Sequence, residues 1–475
     1  MSKKIQTRKE KDSLGEIEVP KDSYFGAFTT RAQKNFQISG LTAPESFRKA
    51  LGTVKLAAAI SNSSLKLLNK SQSEAIRKAA QEFIDGKFDH DFTLDIFQAG
   101  AGTSYNMNCN EIIANRANEL LKGKKGEYKF INPNNHVNLG QSTNDIIPTA
   151  TRLAILFQLP ELAVNLENLE KEFAKKSKEY AKIAKVGRTH LQDAVPITFG
   201  QVFDSYREAL QKSREFIMEQ ANKLKILGIG GTAVGTGINT APGYQKLMIK
   251  NLSDLTKISF SAAKNLTEIA NNMNTFLNFS ASLRSLAVNL LNISSDIKLM
   301  NMGPKAGLAE ISIPEVQEGS SIMPGKVNPS IPECLEMICI DVLGNDHTVS
   351  LSAQKSHFEL NVMCPIIMQK ILFSMQILTN GLATFNNFCI KGLKVNKETV
   401  AKELDESLAF ATALAPYLGY RLTAEIVKTA LKNGNTLKEE VLKRKLYTEK
   451  ELSQILSIEN TTNPAKIFKN LIRNN

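Results

Sequence analysis

Four groups of irregular segments carry the side chains best suited to chemistry. They are Gln98-Ala-Gly-Ala-Gly-Thr-Ser104 with Gln141-Ser-Thr-Asn-Asp145, then Gly187-Arg-Thr-His-Leu-Gln-Asp-Ala-Val-Pro196, Gly228–Gly237, and Gly319-Ser-Ser-Ile-Met-Pro-Gly-Lys-Val-Asn-Pro329. Each is rich in glycine, hydroxyl or amide residues. Such residues offer backbone N–H groups and short donors that converge on an anion. In the last segment a Gly-Ser-Ser run precedes a lysine and an asparagine two residues apart. That order can set a hydroxyl, several N–H groups and one cation around a carboxylate.

Generic motifs do not account for these segments. Gly228-Ile-Gly-Gly-Thr-Ala233 fits the dinucleotide pattern, which requires a strand before it and a helix after it. The sequence predicts a charged helix, Phe203–Leu227, before it and a loop, Thr236–Pro242, after it. Gly319–Val327 has five residues between Gly319 and Gly325-Lys326, where a phosphate loop has four, and Val327 replaces the magnesium-binding hydroxyl residue. No G-x-S-x-G elbow supports a hydrolase triad.

Rigid elements must hold such loops, and the sequence predicts long helices. Three stripes alternate by three and four: Leu162, Leu166, Leu169, Phe173 and on to Tyr180; Phe203, Tyr206, Leu210, Ser213, Ile217, Ala221 and Leu224; Leu283, Leu286, Leu290, Ile293, Ile297 and Met300. Stripes of this length belong to helices lying side by side. Shorter helices are predicted at Phe47–Leu68, Ser73–Phe83, Leu437–Leu446 and Glu449–Leu456. No period-2 strand set is evident, so the expected class is all-α. Of the 27 glycines, 18 fall in 95–145, 187–200, 228–243 and 303–344, which marks the loops.

The net charge of +12 is spread over 475 residues without a like-charge run, which reads as a solvated helix surface and argues against nucleic acid. A positive field also concentrates small anions. The cysteines at 109, 334, 339, 364 and 389 form no C-x-x-C, and with five histidines no zinc spacing appears. Their odd, scattered count suits a reducing compartment, hence a cytoplasmic protein. Met1–Asp12 is polar and unlike a secretory signal. Polar residues Gln369, Lys370 and Gln376 interrupt the apolar stretch Cys364–Leu382, so no membrane span is expected.

Gly319–Pro329 resembles the signature of the aspartase/fumarase superfamily. Gly102-Thr-Ser-Tyr-Asn-Met-Asn108, Gln141–Asp145 and Gly187–Pro196 resemble its other regions in the same order. The resemblance extends from Asp12–Pro20 to Leu452–Pro464. It implies an all-α, three-domain fold with a long central helix bundle: 1–141, 142–396 with the signature loop at 317–330, and 397–475. It also implies a homotetramer with sites shared between chains, no organic cofactor and no obligatory metal.

By resemblance, Ser320 is the general base of an anti elimination that releases fumarate through an aci-carboxylate. Such an intermediate needs preorganised donors, and a serine base needs its alkoxide supported. Lys326 and Asn328, with Ser321, hold a carboxylate. Thr103, Ser142, Thr143 and Asn144 contact the second carboxylate and the leaving group. For Ser142–Asn144 alone, helix capping is the ordinary reading. Thr189 and His190 lie in the family's Gly-Arg-Thr-His segment, and Glu333 matches the acidic partner of that histidine.

Ser104, Thr143 and Met363 resemble aspartases, where fumarases usually carry Gln, Ser and Phe. They favour conversion of L-aspartate to fumarate and ammonia, with hydration of fumarate to malate as the alternative. Cys364, where aspartases usually have Glu, and Lys355-Ser-His357, where small residues are usual, depart from the pattern. A catalytically dead homologue is opposed by the intact Ser320, Lys326, Asn328 and His190. A nucleotide-dependent oxidoreductase is opposed by the missing strand-helix context.

Overall fold

The computed structural model describes residues 6–464 and 467–473; the first five residues of the polar Met1–Asp12 segment lie outside them. The chain forms two compact units. One comprises Met1–Ala163, Glu215–Ala287 and Cys339–Thr379; the other Val164–Arg214, Val288–Ile338 and Asn380–Asn475. The dividing positions fall inside five helices: Thr143–Glu179, Phe199–Lys223, Asn274–Met300, Ser330–Ala353 and Cys364–Phe385. Helices dominate the described residues, as expected from the sequence.

All three predicted stripes are core. Leu166, Leu169 and Phe173, Phe203 and Leu210, and Leu286, Leu290 and Ile297 are each fully buried within the single chain. The first helix is longer than its stripe. It starts at Thr143 and runs through Pro148 and Pro160. Those prolines remove backbone donors and hide the helix's first half from a reading based on periodicity.

In the first unit, the Glu45–Ser64 helix is buried almost all round, with Ala50, Leu51, Val54, Ala57 and Ala58 inaccessible. Its small residues let Lys70–Ile84 and Thr103–Leu120 pack closely. Asn69 and Gln72 form a capping box at the start of Lys70–Ile84. Phe47, Phe83, Phe92 and Tyr105 form an aromatic cluster with centroids 5.4–5.6 Å apart. A hairpin pairs Thr7–Asp12 with Gly15–Pro20.

In the second unit, a hairpin pairs Ala184–Thr189 with Gln192–Thr198, bulged between Val186 and Arg188. Its Ala184 and Val186 join a core with Leu404, Phe410, Leu414, Ile426, Val441 and Leu452 from the short C-terminal helices. Capping boxes at Thr436/Glu439 and Thr448/Glu451 start two of those helices. Across the long helices, Phe173 and Tyr206 meet edge to face at 5.6 Å.

Two expectations need correcting. Strands exist: both hairpins escaped the period-2 reading because their faces are mostly polar or half-exposed, as in Thr7–Asp12. The charged helix before Gly228 ends at Lys223. The short strand Ile226–Leu227 follows, pairing in parallel with Ser261–Ala262. Among the described residues no helix is long and apolar enough to cross a membrane.

The Ala27–Asn35 helix has no cap from its own sequence. Instead the buried carboxylate of Glu111 accepts the N–H groups of Gly26, Phe28 and Thr29 at 2.9, 2.9 and 3.1 Å. Glu111→Ala leaves these donors buried and unpaired, a loss of at least about 2 kcal/mol. Chemical denaturation should show it, with Glu111→Gln losing less; an unchanged midpoint for the alanine variant would refute the capping role.

Candidate active site

In the first unit, the Gln141–Asp145 segment hangs from a buried lysine. Lys55 is inaccessible, and its Nζ donates to Asn106 Oδ1 at 2.7 Å, Gln141 Oε1 at 2.8 Å and Asn138 Oδ1 at 3.1 Å. Burial holds this amine down at about 8. A cation accepts nothing, so all three amides must turn oxygens toward it. Asn106 therefore points its N–H₂ outward, at Thr143 Oγ1, 3.1 Å away. With an acceptor lone pair occupied, the Thr143 hydroxyl keeps its proton for another acceptor.

The neighbouring residues are also placed. Ser142 caps the Thr143–Glu179 helix: its Oγ accepts Asn144 N–H at 3.2 Å, and its own N–H donates to Asp145 Oδ1 at 3.1 Å. The capping role that the sequence allowed is thus present. Asn144 Nδ2 donates to Ala233 O at 2.8 Å. Asp145, buried and held up at about 6 by desolvation, accepts Gly230 N–H at 2.9 Å and Thr232 N–H at 3.1 Å through Oδ2. The Gly228–Gly237 loop is therefore a backbone support for the Ser142–Asp145 turn. Thr103 opens the Thr103–Leu120 helix that also carries Asn106.

In the second unit, the signature loop organises itself. Ser320 Oγ accepts two backbone N–H groups, Ile322 at 3.2 Å and Met323 at 3.1 Å. These donors favour a negative oxygen. Gly319 N–H donates to Lys326 O at 2.8 Å, and Asn328 Nδ2 donates to Gly319 O at 2.8 Å. A Cβ on residue 319 would lie 2.5 Å from Lys326 O, so only glycine closes this loop. Ser321 and Lys326 are exposed and Ser320 half-exposed, all facing open space.

Thr189 ends a strand and His190 begins the two-residue hairpin turn. His190 and Leu191 have φ values of +55° and +59°, the left-handed pair of a type I′ turn that normally selects Asn-Gly. Two non-glycine residues there are strained, and strain of this kind gathers at functional sites. The hairpin is anchored below by Glu310, which is fully buried and lies 2.6 Å from Arg188 and 3.1 Å from Lys185. Glu333 stands exposed in the first turn of Ser330–Ala353. Among the described residues, no hydrogen bond or ion pair joins it to His190 within one chain, because both point to solvent.

Sequence reading missed Lys55, Asn106 and Glu310. Lys55 had a signal, a single charge inside the apolar run Val54-Lys-Leu-Ala-Ala-Ala59. Among the described residues no group of three or more His, Cys, Asp or Glu side chains forms a metal site.

Thr143→Val removes the hydroxyl but keeps the shape. With a hydrogen bond to a charged acceptor lost, kcat/KM toward a dicarboxylate should fall about 10- to 100-fold with the fold intact. Steady-state kinetics beside circular dichroism checks this, and unchanged kcat/KM would exclude Thr143 from binding.

Comparison with known proteins places these features in context. The family described as "Lyase" matches residues 15–344, and the one described as "Fumarase C C-terminus" matches 410–463. The chain is 42% identical to an aspartate ammonia-lyase of a Bacillus species, covering 96% of this chain and 98% of the relative. It is 43% identical to a class II fumarate hydratase of Brucella suis, covering 96% and 99%. Among solved structures, the cobalt-bound fumarate lyase:delta crystallin of Brucella melitensis superposes with a TM-score of 0.93 at 42% identity, over 95% and 99% of the two chains. The class II fumarase of Schistosoma mansoni gives 0.94 at 35% identity, over 97% and 100%.

Proposed function

The chain belongs to the aspartase/fumarase superfamily, and from that premise we propose that it converts L-aspartate to fumarate and ammonia. In this reading Ser320, as alkoxide, takes the β-proton. The electrons pass into an aci-carboxylate held by Lys326, Asn328 and Ser321. The double bond forms as the amine leaves from the opposite face. Thr103, Ser142, Thr143, Asn144 and Thr189 hold the other carboxylate and the amino group, and His190 with Glu333 provides an oriented acid-base pair.

The observation that carries the elimination is the pair of N–H groups on Ser320 Oγ. N–H groups turned on that oxygen support its alkoxide. The choice of substrate rests on Ser104, Thr143 and Met363. Ala101 N–H donates to Val362 O at 2.7 Å, and Asn106 donates to Thr143. Their three segments are thereby tied together in the first unit. Ser104 Oγ is buried without a partner there. Hydration of fumarate to malate is the second reading, favoured by the equal likeness to fumarate hydratases.

The proposal includes a homotetramer with shared sites, the division 1–141, 142–396 and 397–475, a cytoplasmic location suited to five free cysteines, and no cofactor. Assembly is supported by the Ser330–Ala353 helix. It exposes Met337, Ile340 and Leu351, and Gly344 between them has open space above its Cβ position. Positions three and four apart on one helix face make a seam for a second helix.

Fumarate absorbance, followed separately with L-aspartate and L-malate, tests the substrate; turnover of malate but not aspartate removes the aspartase reading. Ser320→Ala should lower kcat at least about 1,000-fold while the oligomer persists. Near-normal turnover would dismiss Ser320 as the base. Sedimentation should give about 210 kDa, four times the chain's 52.4 kDa.

A further inference from the structure

A small cavity in the first unit is lined by Asn144, Asp145, Pro148, Thr149, Arg152 and Thr232, with the Gly228–Gly235 backbone and residues 266–270 closing it. Arg152 is 1% exposed. Among the described residues its guanidinium makes no hydrogen bond and no ion pair, and its Nε is buried without a partner. Its guanidinium lies over the Phe276 ring, 4.5 Å from the centroid. Two hydroxyl oxygens on the same cavity wall, Thr149 Oγ1 and Thr232 Oγ1, are also buried and unpartnered. A helical threonine usually bonds back to the preceding turn, and Thr149 does not. Three orphaned donor groups thus share one enclosure.

We propose that this cavity binds a single monatomic anion of the chloride class. A buried guanidinium without a counter-charge costs several kcal/mol. Water would satisfy N–H groups but leave the charge. The cavity is small enough to take a single small body, so a dicarboxylate is excluded.

Among the described residues no carboxylate pairs directly with the Arg152 guanidinium. Asp145 lines the cavity, but its oxygens are taken by the N–H groups of Ser142, Gly230 and Thr232. Cys364, the leading electrostatic neighbour of Arg152, is buried, and burial pushes its thiol up to about 12, so it stays neutral. Glu268 is exposed and acts on it from a distance, without an ion pair. The anion would brace the turn carrying Asn144 against the glycine loop, so its effect is on stability as well as on the site.

The test uses the whole protein, exchanged into gluconate and titrated with chloride at constant ionic strength. The thermal midpoint should rise by about 2 °C between 1 and 100 mM chloride. Bromide in place of chloride should give an anomalous peak beside Arg152 in crystals. Cys364→Glu, which supplies an internal anion, should abolish the halide response, and Arg152→Gln should abolish it too. No chloride response, a response that survives in Arg152→Gln, or a cavity holding only water would overturn the proposal.

Discussion

The ammonium of Lys55, shut away from water against three amide oxygens, sets the polarity of the first unit's interior. One cation fixes which way Asn106, Asn138 and Gln141 face. Asn106 then fixes which way Thr143 can donate. The same constraint recurs elsewhere. A buried charge needs oriented partners on every side, so Asp145 gathers the glycine loop, Glu111 gathers a helix end, and Glu310 gathers the base of a hairpin. Loops that would wander on a flat surface become specific because each is tied to one such charge.

The signature loop follows a different rule. It is exposed, and its order comes from backbone bonds across its own neck and from two N–H groups turned on one hydroxyl. Those donors are fixed in place before any charge develops, which suits them to support a negative oxygen. A loop that carries its own oxyanion support does not depend on a particular neighbour for that step.

Much of this was legible in the sequence. The three stripes are core at nearly every position, Tyr206 alone being partly exposed, because a period near 3.5 has one structural solution at that length. The chemistry-bearing segments were found as clusters of glycine and small polar residues. Other features were hidden for physical reasons. The Ser142-capped helix was invisible before Leu162 because prolines at 148 and 160 break the pattern without breaking the helix. The Ala184–Thr198 hairpin lacked any Asn-Gly signal, since His-Leu occupies its turn. Glu310 looks like any surface charge until tertiary packing closes over it, whereas Lys55 left one local trace, the apolar run around it.

The left-handed His190-Leu191 turn has a consequence for how the protein can change under selection. Asparagine and glycine would relax that backbone, but neither carries an imidazole. A search for heat-resistant variants would therefore be drawn to this turn and would find its gains there by discarding the ring. If the imidazole serves the proposed reaction, stability and chemistry compete for the same two positions, and a lineage that keeps the histidine keeps the strain with it.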